Sequence, residues 1–204
     1  MTKITERGMI FNAEMVRALL DGRKTQTRRP VKFPVYDKNL GCKLAGNELA
    51  GELSAGNYLN SAFGKPSDCI WVREAFRVHS RATDVATLVY KASERNSWTE
   101  QTHRVPVAVC NKPATPEKWT PSLHMPRWAS RILLEITGVR VERLKSISDR
   151  DALREGCSTA DMKSGDCVAD VFARLWASIY GSDSWNANPW VWVIEFKRVE
   201  GGAA

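Results

Sequence analysis

Apolar positions first recur at helical spacing between Asn12 and Asp21, where Met15, Val16, Leu19 and Leu20 form one stripe. Asn12 is suited to accept from the first free amides, Phe11 before it can pack on Val16, and Gly22 stands where a left-handed stop is wanted. These signals predict a short helix with a sharp end. A second helical face, Val168, Val171, Phe172, Leu175, Trp176, Ile179 and Tyr180, runs up to Gly181. Ser148 opens a capping pattern that predicts a short helix to about Glu155, closed by Gly156. Strand patterns mark Cys69 to Val78, Val85 to Tyr90 and Trp190 to Val199, with a weaker one from His103 to Val109. Ile132, Leu134 and Ile136 alternate, and the pattern resumes one residue out of phase at Val139 and Val141 after Gly138, as a β-bulge requires.

The elements do not alternate as strand, helix, strand. They predict an α+β protein built on a small mixed sheet or barrel with helices at its ends. Val31 to Lys65 is rich in Gly, Asn, Ser and Pro and reads as a long surface insertion with room for a short helix of its own; Asn111 to Pro126 carries four prolines and reads as extended. At 204 residues the chain is expected to be one domain. Its first nine residues are too polar for a signal peptide, no apolar run approaches the ~20 residues of a membrane span, and a cytoplasmic location without membrane contact is expected. The final Gly-Gly-Ala-Ala is expected to fray.

Composition is ordinary for a globular chain, with 43% hydrophobic and 26% charged residues. The net charge of +7 changes the picture more. It suits a polyanionic partner such as nucleic acid, and it equally suits a moderately basic enzyme. Cys42, Cys69, Cys110, Cys157 and Cys167 are widely spaced and, with His79, His103 and His124, match no zinc-ligand spacing. Reduced, mostly buried thiols are expected, with neither metal nor cofactor.

The segment 22–29 is the most informative. Five of its eight residues are Gly or basic and two are Thr. Arg23, Lys24, Arg28 and Arg29 follow a helix end, where free carbonyls already attract cations, so capping alone is one reading. The other rests on Lys24 and Thr27, an amine and a hydroxyl in one short stretch. A neutral lysine can activate a threonine hydroxyl, but that needs its pKa to fall by roughly three units, about 4 kcal/mol. Neighbouring cations and burial both act in that direction. On a regular strand residues 24 and 27 face opposite sides, so the two meet only if the backbone turns between them.

The run Gly22-x-Lys24-x-x-Thr27-x-Arg29 after an amphipathic helix resembles the GxKxxExR signature of the ASCH family, in the variant where threonine replaces the glutamate. Asp68-Cys-Ile-Trp-Val-Arg-Glu74, the strand from Ile132 to Leu144 and the closing Trp192-Val-Ile-Glu-Phe-Lys197 agree in order. The resemblance implies a PUA-like β-barrel of about five or six mixed strands, here enlarged by insertions at about 31–66 and 79–124 as in similar proteins of phages and prophages. It also implies a site. The small ASCH-like amidohydrolases that cleave N4-acetylcytidine share the Gly-Arg-Lys-Thr-x-Thr stretch, and by their pattern Lys24, Thr27 and Glu155 are the expected catalytic residues. Acyl transfer would then follow, with Thr27 as nucleophile, Lys24 as its base and Glu155 carrying a proton to the leaving cytosine amine.

Arg23, Arg29, Arg73, Glu74, Arg127 and Trp128 are the expected substrate-binding residues. Arg73 and Glu74 project to opposite faces of their strand, and a surface ion pair is the simpler role for them. The stretch His124-Met-Pro-Arg127-Trp128 mixes aromatic and basic groups in a way that suits base stacking, and Trp128 suits a core anchor equally well. Trp185, Trp190 and Trp192 are expected mainly in the core. The expected partner is a nucleoside or RNA substrate, or single-stranded nucleic acid held without chemistry; ribonuclease activity is the remaining enzymatic alternative.

Overall fold

The computed structural model describes residues 4–199, so the Gly-Gly-Ala-Ala end lies outside the described residues. The chain begins with β1 (Glu6–Ile10), α1 (Ala13–Leu20) and β2 (Gln26–Pro30). The first long insertion holds β3 (Val35–Tyr36), β4 (Lys43–Leu44) and α2 (Gly46–Ser54). Next come β5 (Cys69–Arg73), β6 (Phe76–Arg81), β7 (Val85–Tyr90), α3 (Trp98–Gln101) and β8 (Thr102–Pro106). The remainder is β9 (Leu133–Arg143), α4 (Asp149–Arg154), α5 (Val168–Tyr180), α6 (Ser182–Asn186) and β10 (Trp190–Val199). The fold is mixed α+β, and no described helix is long and apolar enough to cross a membrane. Ten strands replace the five or six expected, and they do not form a closed barrel among the described residues. Most of the surplus comes from the insertions: β3 and β4 lie in the first, and the second holds β7, β8 and the end of β6.

Two compact units divide the chain. The first comprises the described residues 4–21, 69–135 and 198–199. In it β1 runs parallel to β5, with Gly8 opposite Trp71, and β5 pairs antiparallel with the start of β9, Ile70 opposite Leu134. The strand β1 carries no legible pattern because Met9 is its sole buried residue. Helix α1 forms as its sequence predicts, with the Met15 amide donating to Asn12 Oδ1 at 2.8 Å. Strands β6, β7 and β8 make an antiparallel sheet, irregular at Val78/Ser80. One face of it buries Phe76, Val78, Leu88 and Tyr90 against Met125 and Ala129, and the Tyr90 hydroxyl donates to the Ala129 carbonyl at 2.8 Å.

The second unit comprises residues 22–68 and 136–197. Here β10 pairs antiparallel with β2, Thr27 opposite Ile194 and Arg29 opposite Trp192, and β9 lies on the other side of β10. Along β9 the buried phase runs through Leu134 and Ile136 and then slips by one residue to Val139 and Val141, as the sequence around Gly138 predicts. Val191 and Val193 face a core built with Phe172 and Trp176 of α5, and with Leu144, Ala152 and Cys157 around α4.

The first insertion is not a loose loop. Asp37 Oδ1 accepts the Asn39 and Leu40 amides at 2.7 Å each, and Asn60 donates to Asp37 Oδ2 at 3.0 Å. Gly46, at the start of α2, lies so close to Trp190 that an added Cβ would stand 2.3 Å from the indole. Substituting Gly46→Ala forces two rigid groups apart and is expected to cost about 1–3 kcal/mol. Urea unfolding checks this: the midpoint should fall with an unchanged slope, and an unchanged midpoint would mean that α2 does not depend on that contact.

Candidate functional site

Gly22 takes φ +72, a conformation that suits glycine, and turns the chain after α1. The Thr25 amide then donates to the Arg154 carbonyl at 2.8 Å, and the Thr25 carbonyl accepts from the Phe196 amide at 2.9 Å. These two bonds fix the start of β2 between the end of α4 and β10. One reading of the cations of 22–29 has them cap the helix before them. They serve the end of α4 instead: Arg23 Nη1 donates to the Gly156 carbonyl at 3.0 Å and Lys24 Nζ to the Glu155 carbonyl at 2.8 Å. Those carbonyls are the unsatisfied acceptors of a helix that stops at Gly156, which takes φ +94.

Glu155 is the centre of this arrangement. Its carboxylate accepts from Lys24 Nζ at 2.8 Å and from Arg28 Nη1 at 3.1 Å, with side-chain exposures of 3%, 0% and 0% respectively. Arg28 also reaches Glu142 at 2.6 Å and Asp151 at 3.3 Å. Around this core, Arg140 bridges Glu142, Asp151 and Glu195, and Arg154 lies 3.6 Å from Glu195. Four cations thus meet four carboxylates. Burial holds the Lys24 ammonium below its ordinary pKa, while the Glu155 charge and hydrogen bond act the other way. Burial also raises the Asp151 carboxyl, but Arg28 and Arg140 outweigh it and leave it below the usual carboxylate range. The sequence reading missed Glu142, Arg140, Asp151 and Glu195. Only the charged alternation Arg140-x-Glu142 on β9 and the acidic first turn of α4 signalled them.

Alternation along β2 sends Gln26 and Arg28 to one face and Thr27 and Arg29 to the other. Thr27 is buried, and no hydrogen bond joins it to Lys24 or Glu155 among the described residues. On its face Arg29 opens onto a cavity of about 460 Å³. Trp192, Phe63, Tyr180 and Pro30 give it apolar walls, and Arg29, Lys32 and Asn60 supply polar edges. Phe63 stands edge-on to Trp192 at 5.9 Å, and Arg29 Nη1 lies 3.5 Å from the Tyr180 hydroxyl. Trp192, expected in the core, is buried and also walls this cavity. Phe63, Ala62 and Asn60 come from the first insertion, so that segment builds part of the cavity wall.

The other predicted binding residues lie in the first unit. Glu74 is not on the surface: it is 2% exposed, its two carboxylate oxygens meet Arg131 at 2.9 and 3.1 Å, and burial raises its pKa while Arg131 opposes the rise. The same guanidinium lies 4.1 Å above the Tyr90 ring and donates to Ser93 Oγ at 2.9 Å. Arg73 stacks on Trp71 at 5.2 Å and donates to the Leu123 and Met125 carbonyls. Arg127 pairs with Glu6 at 2.8 Å, and Trp128 stands edge-on to Phe76 at 6.2 Å with its indole N–H unpaired. Of the five free cysteines only Cys110 and Cys157 are buried; Cys42, directly before β4, and Cys167, directly before α5, are exposed.

No family model, curated protein or solved structure matches this chain.

The two partners of Glu155 are not equivalent. Glu155→Gln leaves Lys24 and Arg28 short of a buried counter-charge and is expected to cost about 3–5 kcal/mol. Lys24→Met leaves Glu155 still paired with Arg28 and is expected at less than half of that. Guanidinium unfolding separates them, and equal losses would assign the pairing to Lys24 alone. Because Lys24 holds its proton less tightly folded than unfolded, wild-type stability should rise with pH between the lowered value and 10.5. Lys24→Met should flatten that rise.

Proposed function

We propose that this is an ASCH-type protein of PUA-like fold that acts on a modified cytidine nucleoside or RNA, hydrolysing the N4-acyl amide. One observation supports the reading above the others. Lys24 and Glu155, named together by the ASCH resemblance, are 131 residues apart in sequence, and the buried amine meets the carboxylate at 2.8 Å. Burial raises the neutral fraction of Lys24, which is the form a general base needs.

In this reading Thr27 Oγ attacks the amide carbonyl and its proton passes to Lys24. The cytosine amine departs with a proton delivered through Glu155, and water then releases the acid from Thr27. The free protein has no Thr27–Lys24 hydrogen bond, so a bound substrate must draw the amine from the Glu155 carbonyl toward the hydroxyl. Bonds of this kind are often unmade before substrate binds. The apolar cavity beside Arg29 is of a size and lining that suit a nucleoside.

A second reading is a nucleic-acid-binding module without chemistry. It is favoured over hydrolysis by the missing Thr27 bond. Chromatography of N4-acetylcytidine incubated with pure protein tests both readings. The first expects cytidine and acetate, with a loss of about 10²–10⁴-fold on Thr27→Ala or Lys24→Met in folded protein. Nucleoside binding without turnover would leave the second, and cleavage of labelled RNA on a gel would replace both with a ribonuclease.

A further inference from the structure

The protein's positive charge is unevenly placed. Residues 76–131 contain nine Lys or Arg against four Asp or Glu, a surplus of five within a net charge of +7, and all three histidines. In the second unit, by contrast, Lys24 and Arg28 are paired with carboxylates of that unit. Within the first unit the surplus of positive charge therefore lies in residues 76–131.

There the proline-rich segment 112–121 lies along β6 as an irregular extra strand. The Thr120 amide donates to the Phe76 carbonyl at 2.7 Å, the Phe76 amide donates back at 3.2 Å, and the Thr115 amide donates to the Val78 carbonyl at 2.9 Å. Arg81 Nη1 donates to the Lys112 carbonyl at 2.9 Å. Tied in this way, the segment frames a cavity of about 370 Å³ lined among others by Lys112, Lys118, Trp119 and His124. The Arg77 guanidinium lies over the Trp119 ring at 4.6 Å, and its Nε is buried without a partner. Glu117 is the one carboxylate between residues 112 and 124.

We propose that this cavity is a docking site for single-stranded nucleic acid. Trp119, backed by Arg77, takes a base by stacking, and Lys112 and Lys118 take the flanking phosphates. A flat aromatic ring with a guanidinium on it suits the π-face of a base, and two lysines on the same cavity wall, both preceding the ring in sequence, suit a backbone that carries a charge at every nucleotide. An acidic peptide would use the lysines but not the ring. A duplex keeps its bases stacked and cannot offer one to Trp119. The site is separate from the Lys24–Glu155 cluster and does not rest on the hydrolytic reading.

Fluorescence anisotropy of a labelled twelve-nucleotide oligouridylate tests this, with a duplex of equal length and poly-glutamate as competitors. Trp119→Ala should weaken binding about 5–150-fold, while Trp119→Phe keeps most of it. Lys112→Ala with Lys118→Ala should make the plot of log affinity against log salt shallower by about 1.4. Trp119→Ala should leave any N4-acetylcytidine turnover unchanged. Absence of binding, equal competition by duplex or poly-glutamate, or undiminished affinity in folded Trp119→Ala would each overturn the proposal.

Discussion

A carboxylate taken out of water costs several kcal/mol unless cations meet it in good geometry. Glu155 is such a carboxylate, placed where a helix presents its negative end, and so doubly in need of them. Lys24 and Arg28 supply the charge from one short segment, and that requirement organises much of the second unit. The turn at Gly22 aims Lys24 at the end of α4. The backbone bond from Thr25 to Arg154 sets the height at which β2 starts, and the pairing of β2 with β10 follows from it. Nearby Cys157 responds to the same surroundings: burial first, and then the Glu155 charge, push its thiol up to about 11, which makes it a poor nucleophile near neutrality.

This network also changes what the net charge means. Arg28 looks in the sequence like part of a basic patch, yet its side chain is fully buried and faces three carboxylates. A cation so engaged cannot release counterions from a nucleic acid without breaking its own pairs. Residues 76–131 hold fewer carboxylates than cations, although Arg127 and Arg131 pair with Glu6 and Glu74 from outside that stretch.

The sequence was most legible where one signal sufficed. The cap of α1 at Asn12, the apolar face of α5 and the stop of α4 at Gly156 are local, and each appears as predicted, except that Ile179 at the end of the α5 face is exposed. The strand β1 was illegible because its stability comes from backbone pairing with β5, which leaves no periodic side-chain signal. The insertions looked like loops for a related reason: β3 and β4 are two residues each, and the first insertion is held by Asp37 and Asn60, whose polar side chains carry no periodicity. At the candidate site the motif pointed to Lys24, Thr27 and Glu155. Glu142 and Glu195 could not be found that way, because a carboxylate on a strand declares its partner only once the sheet has formed.

The ion cluster bears directly on the protonation of Lys24. A lysine can act as a base only when it is neutral, and desolvation moves Lys24 in that direction, whereas its bond to Glu155 stabilises the charged form. The two influences oppose each other on one amine. Arg28 meets the same carboxylate, so Glu155 is paired with two cations at once. The same argument explains why arginine suits position 28. Its planar fork bridges Glu142 and Glu155 at once, which a lysine's point charge does not do. Arg28 thereby fixes Glu155 in place.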